Sequence, residues 1–304
     1  MTLCVAAIAS GEEKNQITFP PPRPRIVACF DRLVGGELGT TDTAFKIRGV
    51  APGWIALYAS NEVSTTLKLL DAYVRRFYPP SPRTHITARN CEREFSVPAR
   101  TTLRALREES VQSQLSVSLK WFYEQGKNSL DKGLWRRVAE DVRQITLESE
   151  LLIFGFAEEQ WPTLLTVDGN GRTRRAAVDF AAVGIGQFIA RAALLRRDQT
   201  GETSLGTTLY QVMEAKLLGE RASGVGRETL MGVYAPPVSA DSDMRLAVVS
   251  KSEQEELETM FKEKYGPRPV PDFIPVPNAL AEQLAEQIEE ELGSPSADSE
   301  PEPD

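Results

Sequence analysis

Thr2 is the residue with the clearest capacity for chemistry, because it follows the first methionine of the chain. Removal of Met1 would leave a hydroxyl and a free α-amine on one residue. A hydroxyl is a weak nucleophile unless a base contacts it, and an α-amine titrates at about pH 8, close enough to neutrality to act as that base. The competing interpretation is an ordinary Met-Thr start, so the catalytic one needs support from elsewhere in the chain.

The histidine and cysteine content narrows the alternatives. His85 is the only histidine and lies in a proline-rich stretch, which predicts an exposed loop residue and leaves little scope for a Ser-His or Cys-His mechanism. Cys4, Cys29 and Cys91 lack the spacing of zinc ligands and are too few for a disulfide framework. We therefore expect no metal and no cofactor.

The charge distribution and the hydropathy pattern exclude two classes of partner. Residues 236–304 carry 17 acids and 5 bases, whereas residues 1–235 carry 26 acids and 30 bases. The sequence has no basic stretch of the kind that indicates nucleic-acid binding. It also has no apolar run of about 18 residues, which a membrane span would need. The start lacks the basic segment and cleavage site of a signal peptide, so we expect a cytoplasmic protein.

Alternating blocks of strands and helices must position these residues. Apolar runs predict strands, and apolar residues spaced three and four apart predict helices. The predicted order is strands at 2–9, 25–30 and 54–59, a helix from 61 to 78, an irregular stretch at 79–98, helices within 99–148, strands at 150–156 and 162–167 with a hairpin turn at 168–171, helices near 186–198 and 204–221, and a strand at 228–234. Segregated blocks of this kind predict stacked layers of sheet and helix.

A change of composition after Ala235 predicts a boundary. Residues 1–235 are expected to form the folded body, and residues 236–304 an acidic, partly helical and largely disordered tail. Within the tail, helices are predicted near 251–264 and 278–292. The second has leucine or isoleucine every fourth residue, which favours either a docking helix or a weakly formed solubilising one.

Four segments of the first half resemble the N-terminal-nucleophile (Ntn) hydrolases of the proteasome β-subunit and HslV peptidase type. Thr2 stands at the position of the nucleophile, and Asp31 ends the run Ala-Cys-Phe-Asp-Arg, like the strand-end aspartate of that family. Lys46 follows 15 residues later, as its lysine does. Ser60, in Tyr-Ala-Ser-Asn, falls 14 residues further on, where the family places the turn that binds the oxyanion.

The second half carries a weaker match. The segment from Phe180 to Gly186 is similar to the strand and helix-opening glycines of the family, and Ser223 lies in a segment similar to its late acidic-x-x-Ser-Gly turn. The resemblance covers roughly residues 2–235, with insertions at 10–24 and around 80–130. It implies an α+β fold, a four-layer αββα sandwich in which two antiparallel sheets lie between helix layers.

The resemblance also implies a role for each matched residue. Thr2 would attack an amide carbonyl, Lys46 would lower the pKa of its hydroxyl, and Asp31 would orient Lys46 and keep it charged. The backbone N–H of Ser60 would bind the oxyanion. Ser223 would support the site, or would only line a turn. The implied partners are a peptide or unfolded-protein substrate, further copies of the chain in a homo-oligomeric ring, and an unfoldase or other regulator.

Three departures from the family pattern keep other functions open. Ser60 replaces the oxyanion glycine, Ile185 replaces a serine that would bind the terminal amine, and Glu220 replaces an aspartate. The sequence therefore predicts a threonine peptidase that cleaves peptide bonds. The alternatives are a non-catalytic assembly subunit and a small-molecule amidase on the same fold. Substrate preference, ring size and the identity of a regulator are not specified by the sequence.

Overall fold

The computed structural model describes residues 2–10, 23–31, 34–36, 39–41, 46–78, 86–157, 161–236, 245–266 and 274–292. The predicted loop residue His85 lies outside these ranges. The strands are β1 (Leu3–Ala9), β2 (Arg25–Asp31), β3 (Val34–Gly36), β4 (Gly39–Thr41), β5 (Ile47–Ala51), β6 (Trp54–Ser60), β7 (Ser149–Phe156), β8 (Pro162–Val167), β9 (Thr173–Arg175), β10 (Phe180–Gly184), β11 (Thr229–Ala235) and β12 (Arg245–Val248).

The helices form three groups along the chain: between β6 and β7, between β10 and β11, and after β12. They are α1 (Val63–Phe77), α2 (Cys91–Leu115), α3 (Leu119–Trp121), α4 (Lys127–Ser129), α5 (Lys132–Gln144), α6 (Gln187–Arg196), α7 (Leu205–Gly219), α8 (Lys251–Thr259) and α9 (Asn278–Leu292). Short π-helical segments connect α3 to α4 (Phe122–Gly126) and extend α8 (Met260–Tyr265). No helix in the described ranges has the length and apolarity to cross a membrane.

The described strands form two antiparallel sheets of five strands each and one small hairpin. One sheet has the order β10-β1-β2-β11-β12, and the other has the order β5-β6-β7-β8-β9. The alternation of side chains along β1 shows why the sheets stack. Leu3 and Val5 face a helix layer with α6 and α7, whereas Cys4 and Ala6 face the other sheet.

The second sheet divides its side chains in the same way. Ala56 and Ile153 pack against α1 and α2, whereas Leu57 and Leu152 join the core between the sheets. Each sheet is therefore buried on both faces, which matches the continuous apolar runs of its strands. The predicted four-layer αββα sandwich is confirmed.

Helix α2 begins earlier than the sequence predicts. The sequence predicts an irregular stretch up to residue 98, but Pro98 lies inside the helix. Proline is unfavourable there because it cannot donate the helical hydrogen bond. The helix persists because Phe95 is fully buried and Tyr73 donates from its hydroxyl to the Phe95 carbonyl, at 2.8 Å. Tertiary packing thus overrides the local cost of the proline.

The segment after Pro236 contains the two predicted helices, as α8 and α9, but it packs against the body. Strand β12 pairs with β11 in register Val233 to Ala247, so the sheet continues across the predicted boundary. Ile274 donates its N–H to the Thr207 hydroxyl at 3.1 Å, and Leu280 on α9 is fully buried in the core beside α7. The acidic composition of residues 236–304 gave no indication of this packing, because the few apolar side chains that are buried on α9 lie on one face of that helix. Residues 293–304 lie outside the described ranges.

Candidate active site

Three chain segments bring Thr2, Asp31 and Lys46 together. Thr2 immediately precedes β1 and Asp31 ends β2; these strands are antiparallel neighbours, so the start of one meets the end of the other. Lys46 immediately precedes β5 in the second sheet and reaches across from there. The sequence could indicate the three residues, but only the pairing of the strands explains why they meet.

The three side chains form a continuous hydrogen-bonded series. The Lys46 Nζ donates to the Asp31 Oδ1 at 2.6 Å and also donates to the Thr2 Oγ1. The second carboxylate oxygen of Asp31 accepts the backbone N–H of Leu3 at 3.2 Å and that of Gly226 at 2.8 Å. Both oxygens of Asp31 are therefore hydrogen-bonded, and the carboxylate has a fixed orientation.

Burial gives this series its electrostatic character. The exposed fraction is 3% for Thr2, 0% for Asp31 and 2% for Lys46. A buried charge is tolerated only when it is paired and hydrogen-bonded, and here each charge compensates the other. Because water is largely excluded, the field of the Lys46 ammonium acts on the Thr2 hydroxyl with little screening.

The carbonyl of Thr2 is fixed from the other side by β10 and the residue that follows it. The Ile185 N–H donates to the Thr2 carbonyl at 3.1 Å. Gly184 has a φ of +96°, and a Cβ at this position would lie 1.9 Å from the Thr2 carbonyl oxygen. Only glycine permits this approach, so the backbone of Thr2 is held between β2 and β10.

A cavity of about 390 Å³ opens beside Thr2. Glu148 and Glu150 contribute carboxylates to its wall, and Ile185 and Phe188 contribute exposed apolar side chains, Phe188 being 76% exposed. The remaining lining residues are Ala59, Ser60, Asn61, Thr146, Ser149, Gly169, Gly184 and Gln187. Thr2 thus lines a cavity even though most of the residue is buried.

Ser60 lines the same cavity, and its predicted role in binding the oxyanion stays a prediction. Asn61 donates its N–H to Glu148 on the β7 side, whereas Tyr58 donates to the Lys46 carbonyl at 3.2 Å. Since alternate residues of a strand donate to the same side, the Ser60 N–H points to the side of Lys46. The Ser60 hydroxyl instead donates to the Glu62 carbonyl, at 2.7 Å.

The turn after α7 holds Asp31 through its backbone. Glu220 accepts a hydrogen bond from the fully buried Lys216, and the same Lys216 Nζ donates to the Gly226 carbonyl at 2.9 Å. Gly226 then donates its N–H to Asp31. Ser223, which the sequence marked in this turn, is exposed. Its predicted role stays a prediction, and the contact to Asp31 from this turn comes from Gly226.

Sequence reasoning did not identify Glu150, Lys216 and Gly226. Glu150 accepts the Gly184 N–H at 2.8 Å and the Gln187 side-chain amide at 3.3 Å, and so fixes the cavity wall next to Thr2. The one available signal for Glu150 was a charged residue within the apolar run of β7. For Gly226 no signal existed, since only its backbone acts and its partner lies 195 residues away.

Cys4, two residues from Thr2, is excluded as a competing nucleophile. Burial, followed by the nearby Asp31 carboxylate, raises the pKa of the Cys4 thiol well above its ordinary value. Burial likewise raises the pKa of Cys29 to about 12. Because only the thiolate is reactive, both residues are inert at neutral pH. They are core residues, as the sequence predicts.

Comparison with known proteins supports the fold class. The solved structure of Anbu, a Gly-1 mutant from Hyphomicrobium sp. strain MC1, is similar to this chain with a TM-score of 0.53 and 14% sequence identity. The similarity covers 95% of this chain and 97% of that one. No protein-family model matches the chain, and none of the curated proteins does. At this identity the likeness shows the fold alone: a sandwich of two antiparallel sheets between helix layers.

Proposed function

We propose that the chain is a proteasome-like threonine peptidase that uses Thr2 as its nucleophile after Met1 is removed. One observation carries this proposal: the Thr2 hydroxyl ends a buried series of hydrogen bonds through Lys46 to Asp31 and lies at the wall of an open cavity. A purely structural ion pair would not need a hydroxyl as its third member, nor a cavity beside that residue.

The proposed activation divides the work between two amines. The Lys46 ammonium donates to the Thr2 Oγ1 and stabilises the developing alkoxide, which lowers the pKa of the hydroxyl. The α-amine of the processed Thr2 takes the hydroxyl proton, directly or through one water. Asp31 keeps Lys46 charged and oriented. The carbonyl contact from Ile185 fixes the backbone of Thr2, and so restricts where its amine can lie.

The reaction then follows acyl transfer in two halves. The Thr2 Oγ1 bonds to the substrate carbonyl carbon, and the Ser60 N–H binds the resulting oxyanion. Collapse breaks the C–N bond, and the departing amine takes the proton held by the Thr2 α-amine. Water then attacks the acyl ester while the same α-amine accepts a proton from it. Release of the carboxylic acid returns that proton to the Thr2 oxygen.

A non-catalytic assembly subunit is the second candidate, and a specific observation favours it. Ile185 places an apolar, 42% exposed side chain where a hydroxyl would bind the terminal amine. The same sandwich without a working amine would still build a ring. We propose a homo-oligomeric ring in either case, with a peptide or unfolded protein as substrate and an unfoldase as regulator in the catalytic one.

Covalent labelling separates the two candidates. The full chain is expressed, and its intact mass is measured before and after reaction with a β-lactone or a peptide epoxyketone. We expect loss of Met1, a single adduct and, after digestion, its location on Thr2. Thr2→Ala should abolish the adduct, whereas Thr2→Ser, which keeps the hydroxyl, should retain it. Quantitative retention of Met1, or labelling that Thr2→Ala leaves unchanged, contradicts the proposal.

Turnover assays then identify the substrate class. Fluorogenic peptides of several lengths are compared with small N-acyl amides under the same conditions. Faster hydrolysis of the longer peptides supports a peptidase. Hydrolysis of the small amides alone supports the amidase that the sequence leaves open, which a cavity of about 390 Å³ is large enough to serve.

A further inference from the structure

A second cavity, of about 480 Å³, lies between α2, α3 and the hairpin turn after β8. Its lining is strongly basic. Arg100, Arg104 and Arg107 come from α2 and Lys120 from α3, and Glu124 is the one acidic residue among the lining residues that the structure describes. We name this the basic cavity. It belongs to the helical stretch that the family resemblance does not include, and the proposed hydrolysis does not use it.

None of the four basic side chains of this cavity forms an ion pair within the described ranges. Arg107 donates from its Nη2 to the Ile145 carbonyl at a long 3.4 Å, and its buried Nε has no partner. Two arginines at the end of α6 show the paired arrangement. Arg196 and Arg197 share the buried Glu214, at 2.5 and 2.7 Å.

The spacing of the arginines makes this arrangement unfavourable for α2 itself. Arg100 and Arg104 are four residues apart and Arg107 follows three residues later, so all three lie on one face of the helix, where like charges repel. They lie in the middle of a 25-residue helix, and so they do not compensate its dipole. An unpaired row of cations at a cavity points to an anionic ligand.

We propose that the basic cavity binds an acidic peptide segment, and that the occupant is residues 298–304 of a second copy of this chain. Residues 298–304 read Asp-Ser-Glu-Pro-Glu-Pro-Asp, with an acid at every second position and no base. Alternate residues of an extended chain are about 6.6 Å apart on one side. Arg100 and Arg104 are about 6 Å apart along the helix axis, so successive carboxylates fit successive guanidinium groups.

The position of α9 favours a second copy as the donor. Helix α9 leads to the acidic segment and packs in the core beside α7, on the opposite side of the two sheets from α2. A segment that starts in the helix layer of α7 can reach the α2 layer of a neighbouring molecule without having to pass both sheets of its own. The acidic segment thus serves as a linker between copies.

Peptide binding to the full chain tests the site. A fluorescent, amidated peptide of residues 293–304 is titrated by anisotropy into the wild type and into Arg100→Glu/Arg104→Glu. We expect the double variant to bind about tenfold more weakly or worse, and wild-type binding to weaken with salt. Arg136→Glu/Arg137→Glu on α5 is the matched control, since both side chains are exposed and lie outside the cavity. An equal loss in this control means general charge attraction and overturns the proposal.

Two further arms test the peptide register and the donor. A peptide of the same composition with its acids contiguous should bind more weakly, and inorganic phosphate at millimolar concentration should not displace the native peptide; the opposite results indicate a phosphate site and overturn the proposal. Sedimentation velocity of the full chain should show self-association that is lost in Arg100→Glu/Arg104→Glu and in the tail variant Asp298→Asn/Glu300→Gln/Glu302→Gln. Unchanged association in both variants overturns the second-copy donor. Thermal melts establish that each variant is folded.

Discussion

The site at Thr2 and the basic cavity place the same kind of charge in opposite circumstances. Lys46 is 2% exposed, pairs with a carboxylate at 2.6 Å and contacts a hydroxyl. Arg100, Arg104 and Arg107 of α2 line a cavity without an ion-pair partner among the described residues. The charge of Lys46 is compensated within the fold by Asp31. The charges of the basic cavity would be compensated by the acidic peptide that we propose. In our two proposals, the paired Lys46 takes part in hydrolysis, whereas the unpaired arginines of the basic cavity bind a ligand.

Loss of the Lys46 charge should have the largest effect. Lys46→Met keeps the length of the side chain but leaves the buried Asp31 carboxylate uncompensated, so we expect hydrolysis to fall about 100-fold or more and stability to fall by about 3–5 kcal/mol. Turnover and urea unfolding measure the two effects. The sequence alone favours an electrostatic role without structural cost, and the observed burial adds that cost. Near wild-type activity would remove Lys46 from the site.

Gly184→Ala tests whether the position of Thr2 matters separately from the charges. The added Cβ would overlap the Thr2 carbonyl oxygen, and φ is +96° at this residue, so we expect a loss of about 2–4 kcal/mol together with loss of labelling at Thr2. Gly53→Ala is the control. It has a φ of +70° but no atom within 4 Å of the new Cβ, and should cost only about 1 kcal/mol. Equal losses would show that backbone strain alone explains both.

Leu280→Ala tests whether α9 belongs to the folded body. The residue is fully buried against the core beside α7, so we expect a loss of about 2–5 kcal/mol in urea unfolding. Leu246→Ala on β12, where the leucine is 45% exposed, should cost distinctly less. A negligible effect of Leu280→Ala would return residues 236–304 to the status of an independent tail.

Alkaline pH should destabilise the cores on both faces of the sheet that contains β1 and β2. Burial raises the pKa of Cys4, Cys29 and Tyr234 in the folded state, so the unfolded chain releases protons that the folded one retains. Stability is then fully present below the ordinary thiol pKa of about 8.5, and falls above it by up to about 1.4 kcal/mol per pH unit for each thiol. Urea unfolding from pH 7 to 10 measures this slope. Cys29→Ala should reduce it, and an unchanged slope would contradict the assignment.

The smallest expected effect has the opposite sign. Arg100→Gln/Arg104→Gln removes a like-charge pair from α2, and should raise stability by about 0.2–0.5 kcal/mol at low salt. Thermal melts at low and high ionic strength detect it, since salt should cancel the gain. A loss of more than about 1 kcal/mol would mean that these arginines support the fold, and the contrast with Lys46 would fail.

The sequence predicted the layers and the three central side chains because both depend on local patterns. Apolar runs marked the strands, and the spacing of Thr2, Asp31 and Lys46 follows a family pattern. The features that the sequence did not predict depend on backbone contacts between distant residues, or on a few buried side chains in a mostly polar segment. Gly226 acts through an N–H that every residue type possesses, and Leu280 is one buried leucine on an acidic helix. The prediction at Pro98 was wrong because tertiary packing outweighs the local cost of a proline inside α2.

The contact between Gly226 and Asp31 sets the order in which the molecule becomes competent. The Asp31 carboxylate is held by Leu3, which lies 28 residues before it, and by Gly226, which lies 195 residues after it. During synthesis Thr2 emerges first, but the group that fixes its electrostatic partner is among the last parts of the body to be made. The nascent chain therefore carries Thr2 long before the hydrogen bonds that orient Asp31 can form, and the active site that we propose is complete only once the body has folded.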